Sequence, residues 1–181
     1  MNIINIEHII KIYGEKTIFD DASFGIQEGD KIGIVGINGT GKSTLLKMIS
    51  GEETPDSGKI IRQNGIKTAY VPQNPVLPEE TDIRSWALSG GDAEGWQVES
   101  NLTELGISDL SMKIGHLSGG QKRRVVLAKV LAGESDVLLL DEPTNHLDGE
   151  MITWLDEYLR SYRGTVVMVT HDRYFLDRVT N

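Results

Sequence analysis

The chain has no cysteine, which excludes disulfides, thiol catalysis and cysteine-based zinc sites. It has no apolar run near the roughly 20 residues that span a bilayer. The start, MNIINIEHII, lacks the basic opening and cleavage site of a secretion signal. The expected compartment is the cytoplasm, with any membrane role delegated to a partner. Positive charge is also scarce: 18 Lys and Arg against 27 Asp and Glu give a net charge of -9, so nucleic acid could be held only by a local basic patch. Internal repeats and heptads are absent. What remains, 181 residues with 39% apolar and 25% charged, suits one domain with a core of its own and leaves room for a small subdomain.

The order of elements points to an α/β fold. NIINI at 2–6 and ASFGIQ at 22–27 read as antiparallel strands, and KIGIV at 31–35 as a buried strand ending at glycine. KSTLLKMIS at 42–50 reads as a helix closed by Gly51. Strands follow at 59–61 and at 68–71, the second stopped by Pro72. Prolines and glycines interrupt 74–116, where 98–107 reads as an amphipathic helix. From 117 the alternation resumes: helix 121–132, buried strand 136–143, helix 149–162 and strand 164–171. Such alternation predicts a mainly parallel sheet with helices on its faces. The expected organisation is a β-subdomain and core over 1–79, a reduced helical subdomain over 80–116, and a closing segment over 117–181.

GINGTGKS at 36–43 matches the P-loop pattern, with a buried strand before it and a helix after it. Its glycines let backbone N–H groups turn toward phosphate oxygens, and the helix N-terminus adds donors and a favourable dipole. Gly36, Asn38, Gly39, Thr40, Gly41, Lys42, Ser43 and Thr44 are the candidate nucleotide ligands. Lys42 brings a positive charge to the β- and γ-phosphates, and the Ser43 hydroxyl is placed for Mg²⁺. VLLLDE at 137–142 ends a buried strand in two acids. Asp141 is the candidate Mg²⁺ holder. Glu142, pointing elsewhere from the same strand end, is the candidate base for an attacking water.

LSGG occurs twice, at Leu88 and at Leu117. After the first copy come Asp92, Ala93, Glu94 and Gly95, with no immediate helical pattern, so Ser89, Gly90 and Gly91 read as a joint. The second copy runs straight into an apolar-sided helix, which puts Ser118, Gly119, Gly120 and Gln121 at a helix N-terminus with bared donors for an anion. Lys122, Arg123 and Arg124 read as a solvated helix side, and Trp86, Trp96 and Trp154 as packing residues.

GINGTGKS, VPQ, LSGGQ, LLLDEPTNHLD and VTHD, in that order, resemble the ATP-binding cassette (ABC) ATPases over nearly the whole chain. The resemblance implies a P-loop ATPase fold with an antiparallel β-subdomain, using ATP and Mg²⁺. It implies roles by position: Gln73 as the Q-loop glutamine that touches Mg²⁺ and senses nucleotide, His171 as the switch histidine at the γ-phosphate and attacking water, and Asp148 at the end of the D-loop. Tyr13 in KIYG resembles the aromatic that stacks on adenine, and Ser118 to Gln121 the signature that closes over a second cassette's nucleotide, head to tail. EPTNHLD with THDRYFLD is similar to the ABC-F group, which mostly acts on ribosomes. An ATPase subunit of a membrane transporter and a nucleotide-binding piece without turnover are the alternatives. Three departures stand out: one cassette where ABC-F proteins carry two, a short WALSGGDAEGWQ crossing where first cassettes carry a helical arm, and an end ten residues after His171 that resembles a C-terminal truncation.

Overall fold

The computed structural model describes residues 1–35, 41–90 and 93–180. The loop positions Gly36, Asn38, Gly39 and Thr40, and Gly91 of the first LSGG, lie outside the described residues. Two compact units interleave along the chain.

The first unit comprises Met1–Tyr70, Ser135–Asp141 and Tyr162–Asn181. It holds an antiparallel sheet of β2 (Lys16–Gln27), β1 (Asn2–Tyr13) and β4 (Ser57–Arg62), in that order. A second sheet has the order β3 (Lys31–Ile34), β7 (Thr165–Val169), β6 (Val137–Asp141), β5 (Thr68–Val71), and β7 is parallel to both of its neighbours. β1 and β2 run well past the expected 2–6 and 22–27. The cause is a pair of bulges: His8 and Asp21 sit at φ 50° and 55°, and the register shifts between Ile6 and Ile9. A bulge breaks the period-2 alternation that sequence reading depends on, yet the strand continues. A 2.6 Å bond between His8 Nδ1 and Asp21 Oδ1 ties the two bulges together.

All five residues of β6 and all five of β7 are buried, the pattern of parallel strands covered on both faces. α1 (Lys42–Ser50) closes as expected at Gly51, whose φ of 92° returns its N–H to the Lys47 and Met48 carbonyls. Leu45, Leu46, Met48 and Ile49 of α1 join Ile4, Ile6, Ile9 and Ile26 of the antiparallel sheet and Val137, Leu139, Val167 and Val169 of the parallel sheet in one cluster. Each such side chain contributes about 1.5–3 kcal/mol by leaving water, so α1 is anchored chiefly by this burial.

α6 (Arg173–Val179) was not anticipated. Asp172 caps it by accepting from the Phe175 N–H at 2.9 Å, and Phe175, Leu176 and Val179 are buried. Their i, i+1, i+4 spacing was the available signal. Gly33 of β3 makes room for it, because a Cβ there would lie 2.3 Å from Leu176 Cδ2.

The second unit comprises Val71–Glu134 and Glu142–Ser161. It contains α2 (Ile83–Ala87), α3 (Gly95–Glu104), α4 (Gly119–Ala132) and α5 (Gly149–Ser161). α3 begins three residues before the expected start and ends three before the expected end; buried Asn101 fastens it to α4 by donating to the Ala128 carbonyl at 3.1 Å. α2 was also missed, being only five residues long; Asp82 caps it by accepting from the Ser85 N–H. Two expectations fail here. Arg123 is only 6% exposed, so Lys122, Arg123 and Arg124 do not form a common solvated side. Trp96 is 69% exposed and packs little, whereas Trp86 lies under the Lys129 ammonium and Trp154 beside Tyr158.

Candidate functional site

In the first unit, register alone gathers three chain exits. Ile34 of β3 and Asp141 of β6 both pair with Val169 of β7, so the chain leaves β3, β6 and β7 at the same end of the sheet. This is the carboxyl end, where open α/β sheets hold ligands. Gly41 precedes α1 at φ 89°, and a Cβ there would lie 2.0 Å from Ile18 Cγ2, so only glycine admits this approach. Lys42 is 9% exposed at the first position of the helix, while Ser43 and Thr44 follow half-buried in its first turn.

Asp141 is 2% exposed, and its Oδ1 has no hydrogen-bond partner among the described residues. A buried carboxylate oxygen without a donor is costly and marks the place for a cation or a water. Its charge, after burial, helps push the Tyr70 phenol well above its ordinary range. Among the described residues there is no group of three or more His, Asp or Glu side chains able to hold a metal unaided. Asp141 and Ser43 suit a metal that brings phosphate and water oxygens as its remaining ligands, as Mg²⁺ does. His171 is exposed beyond the end of β7, just before the α6 cap. Tyr13 ends β1 at 44% exposure; its hydroxyl donates to Glu53, which raises its pKa, with a Thr44 hydrogen bond opposing.

In the second unit, Glu142 is 4% exposed, with its backbone in the left-handed region at φ 50°. Gln73 is exposed, and its carbonyl accepts from two nitrogens of Arg123, Nε at 2.9 Å and Nη2. Ser118 caps α4 in a full capping box: its Oγ accepts from the Gln121 N–H at 3.2 Å, and the Gln121 side chain accepts from the Ser118 N–H at 2.9 Å. Gly119 and Gly120 form the first turn. Ser118, Gly119 and Gly120 line a cavity of about 510 Å³ with Arg123, Arg124 and His146. Gly120 packs closely there: a Cβ would lie 3.0 Å from the His146 Cβ, so the histidine would have to give by a few tenths of an ångström. Asp148 accepts from the Met151 N–H at 2.9 Å and so starts α5.

The first LSGG is built differently. Leu88 ends α2, Ser89 Oγ donates to the Trp86 carbonyl at 2.6 Å, and Gly90 takes φ 92°. Its described residues terminate a helix.

The sequence pattern read Arg123 as part of a solvated side and His146 only within the EPTNHLD resemblance, and placed neither beside Ser118. Arg123 stands three and four residues before buried Val126 and Leu127, a spacing that places it on the inward side of α4. His146 takes φ 63°, a backbone state that no residue pattern announces.

A family model described as "ABC transporter" matches residues 19–145. The chain is 39% identical over 223 residues to the ABC transporter ATP-binding protein YfmR of Bacillus subtilis, covering 100% of this chain and 36% of that protein. It is 38% identical over 208 residues to the energy-dependent translational throttle protein EttA of Haemophilus influenzae, covering 91% of this chain and 37% of that protein. The chain therefore spans little more than a third of the length of these curated relatives. A solved structure of the ATP binding subunit of an ABC transporter superposes with a TM-score of 0.85 at 25% identity, covering 98% of this chain and 83% of that one. No helix among the described residues is long and apolar enough to cross a membrane. Ordered motifs, sheet register and these likenesses converge: the chain belongs to the ABC transporter family, as one of its ATPase domains.

Proposed function

We propose that this domain binds Mg-ATP and hydrolyses it when paired head to tail with a second cassette, as part of a cytoplasmic ABC-F type protein that acts on the ribosome. The observation that carries the nucleotide reading is the buried, donor-less Asp141 oxygen at the end of the sheet where the chain also leaves β3. When bound, Mg²⁺ supplies charge neutralisation across the β- and γ-phosphates. The chain's own groups do the rest. Gly36, Asn38, Gly39, Thr40, Gly41 and Thr44 would supply phosphate ligands, Lys42 would contribute the charge, and Ser43, Asp141 and Gln73 would hold the metal. Glu142 orients and deprotonates the attacking water, and His171 contacts the γ-phosphate. Tyr13 stacks on the base. Ser118, Gly119, Gly120 and Gln121 present donors to the partner's nucleotide, and their short reach makes contact between the two cassettes obligatory.

The likeness to the translational throttle protein EttA, together with Asn145 and His146 within EPTNHLD, supports the translation role. The superposition on a transporter's ATP binding subunit favours the rival reading, a cassette that drives a membrane partner. Lys42→Ala is expected to lose fluorescent ATP analogue binding while staying folded. Glu142→Gln is expected to keep binding and lose phosphate release. Unchanged affinity in the first variant, or lost affinity in the second, refutes these assignments. Co-sedimentation of the Glu142→Gln chain with ribosomes in Mg-ATP separates the two biological roles, and its absence favours the transporter.

A further inference from the structure

Tyr13 is held by more than its place at the end of β1. Its hydroxyl donates to the Glu53 carboxylate. Glu53 is itself fixed from behind: its N–H and that of Glu52 donate to the Lys47 carbonyl at 3.2 and 3.0 Å, in the wrap that closes α1. The Lys11 ammonium lies 5.2 Å from the Tyr13 ring centroid, over one face. Lys11 is anchored in turn by the Thr54 carbonyl at 2.8 Å and by Glu53 at 3.8 Å. Asp56 accepts from the Ile12 N–H at 2.7 Å and donates its own N–H to the Ile10 carbonyl at 2.8 Å, which staples the end of β1 to the same segment.

We infer that Glu53 is a positioning residue for nucleobase binding: it locks the Tyr13 ring to α1 with one face covered by Lys11 and the other left for a planar base. The inference rests on the reading of Tyr13 as the base-stacking residue. α1 carries the phosphate-binding loop at its N-terminus and Glu53 just past its C-terminus. The helix is therefore the ruler that sets the ring's place relative to the phosphates. A tyrosine hinged only at its own χ angles would pay rotamer entropy each time a base stacked on it. A tethered ring has met that cost before the ligand arrives, which strengthens binding without adding a contact. The hydroxyl, and not the ring alone, is thus part of base recognition, although it need never touch the base.

The test compares affinity for Mg-ATP with affinity for inorganic triphosphate, which shares the phosphate contacts and has no base. Tyr13→Ala removes the stack and is expected to lower the ATP-to-triphosphate ratio by at least about ten-fold. Tyr13→Phe and Glu53→Ala each break the tether and should lower it about three- to ten-fold, with the double variant no worse than either single one. Glu53→Gln keeps an acceptor oxygen and should restore the ratio. If Tyr13→Ala lowers the ratio but Tyr13→Phe and Glu53→Ala leave it unchanged, the stacking reading stands and Glu53 is not a positioning residue. If Tyr13→Ala itself leaves the ratio unchanged, the stacking reading fails and the inference falls with it.

Discussion

The two LSGG copies use the same four letters at opposite ends of helices. At Leu88 the run follows five helical residues, and Ser89 turns back to donate to the Trp86 carbonyl. At Leu117 the run opens a helix of fourteen residues that begins at its own Gly119, and Ser118 turns forward to accept from the Gln121 N–H. The difference comes from the neighbours. Gln121 completes the capping box, and Val125, Val126, Leu127, Ala128 and Leu131 supply an apolar side worth burying. The first copy has neither. Its serine is instead an anchor: Lys129 of α4 donates to both the Ser89 hydroxyl and the Trp86 carbonyl at 3.0 Å. Capping direction, and with it the availability of phosphate donors, is a property of the helix and not of the tetrapeptide.

The sharpest way to break this contrast is to place a bulky cation in each copy. In a Glu142→Gln background, Ser118→Arg is expected to abolish ATP-dependent pairing in sedimentation, whereas Ser89→Arg should leave it intact. Equal damage would mean that the copies are not distinguished by helix polarity. A smaller effect of opposite sign is expected from the glycines. Gly90 sits at φ 92°, so Gly90→Ala should cost about 1–2 kcal/mol. Gly119 is the first residue of α4 with nothing within 4 Å of a Cβ, so Gly119→Ala should stabilise by up to about 0.5 kcal/mol. Chemical denaturation of the two variants reads both signs. The smallest difference lies in the serines. Ser118→Ala loses a cap worth about 1 kcal/mol and should lower Tm by roughly 2–4 °C. Ser89→Ala leaves Lys129 its carbonyl partner and should stay within about 0.5 kcal/mol of the parent in the same thermal scan.

Much of the parallel core was legible because its strands are uninterrupted apolar runs and its helix carries a P-loop before it and a glycine after it. The extents of β1 and β2 were not, because the bulges at His8 and Asp21 move the buried side by one residue and erase the alternation. α6 was overlooked although Asp172, Phe175, Leu176 and Val179 spelled it out. Trp96 was misjudged for a different reason: composition favours burying a tryptophan, but the first turn of a ten-residue helix can leave one outside.

The sequence by itself determined the ordered nucleotide motifs, the alternation of strand and helix, and the helix-starting character of the second LSGG, since each depends on residues within a few positions of one another. Tertiary structure decided what depends on distant partners. It paired Ile34 and Asp141 with the same residue of β7, left the Asp141 oxygen without a donor, buried Arg123 against the Gln73 carbonyl fifty residues away in sequence, and bound the Tyr13 hydroxyl to Glu53 across forty. Long-range hydrogen bonds and burial are set by how the sheets and helices pack, and no local pattern encodes them.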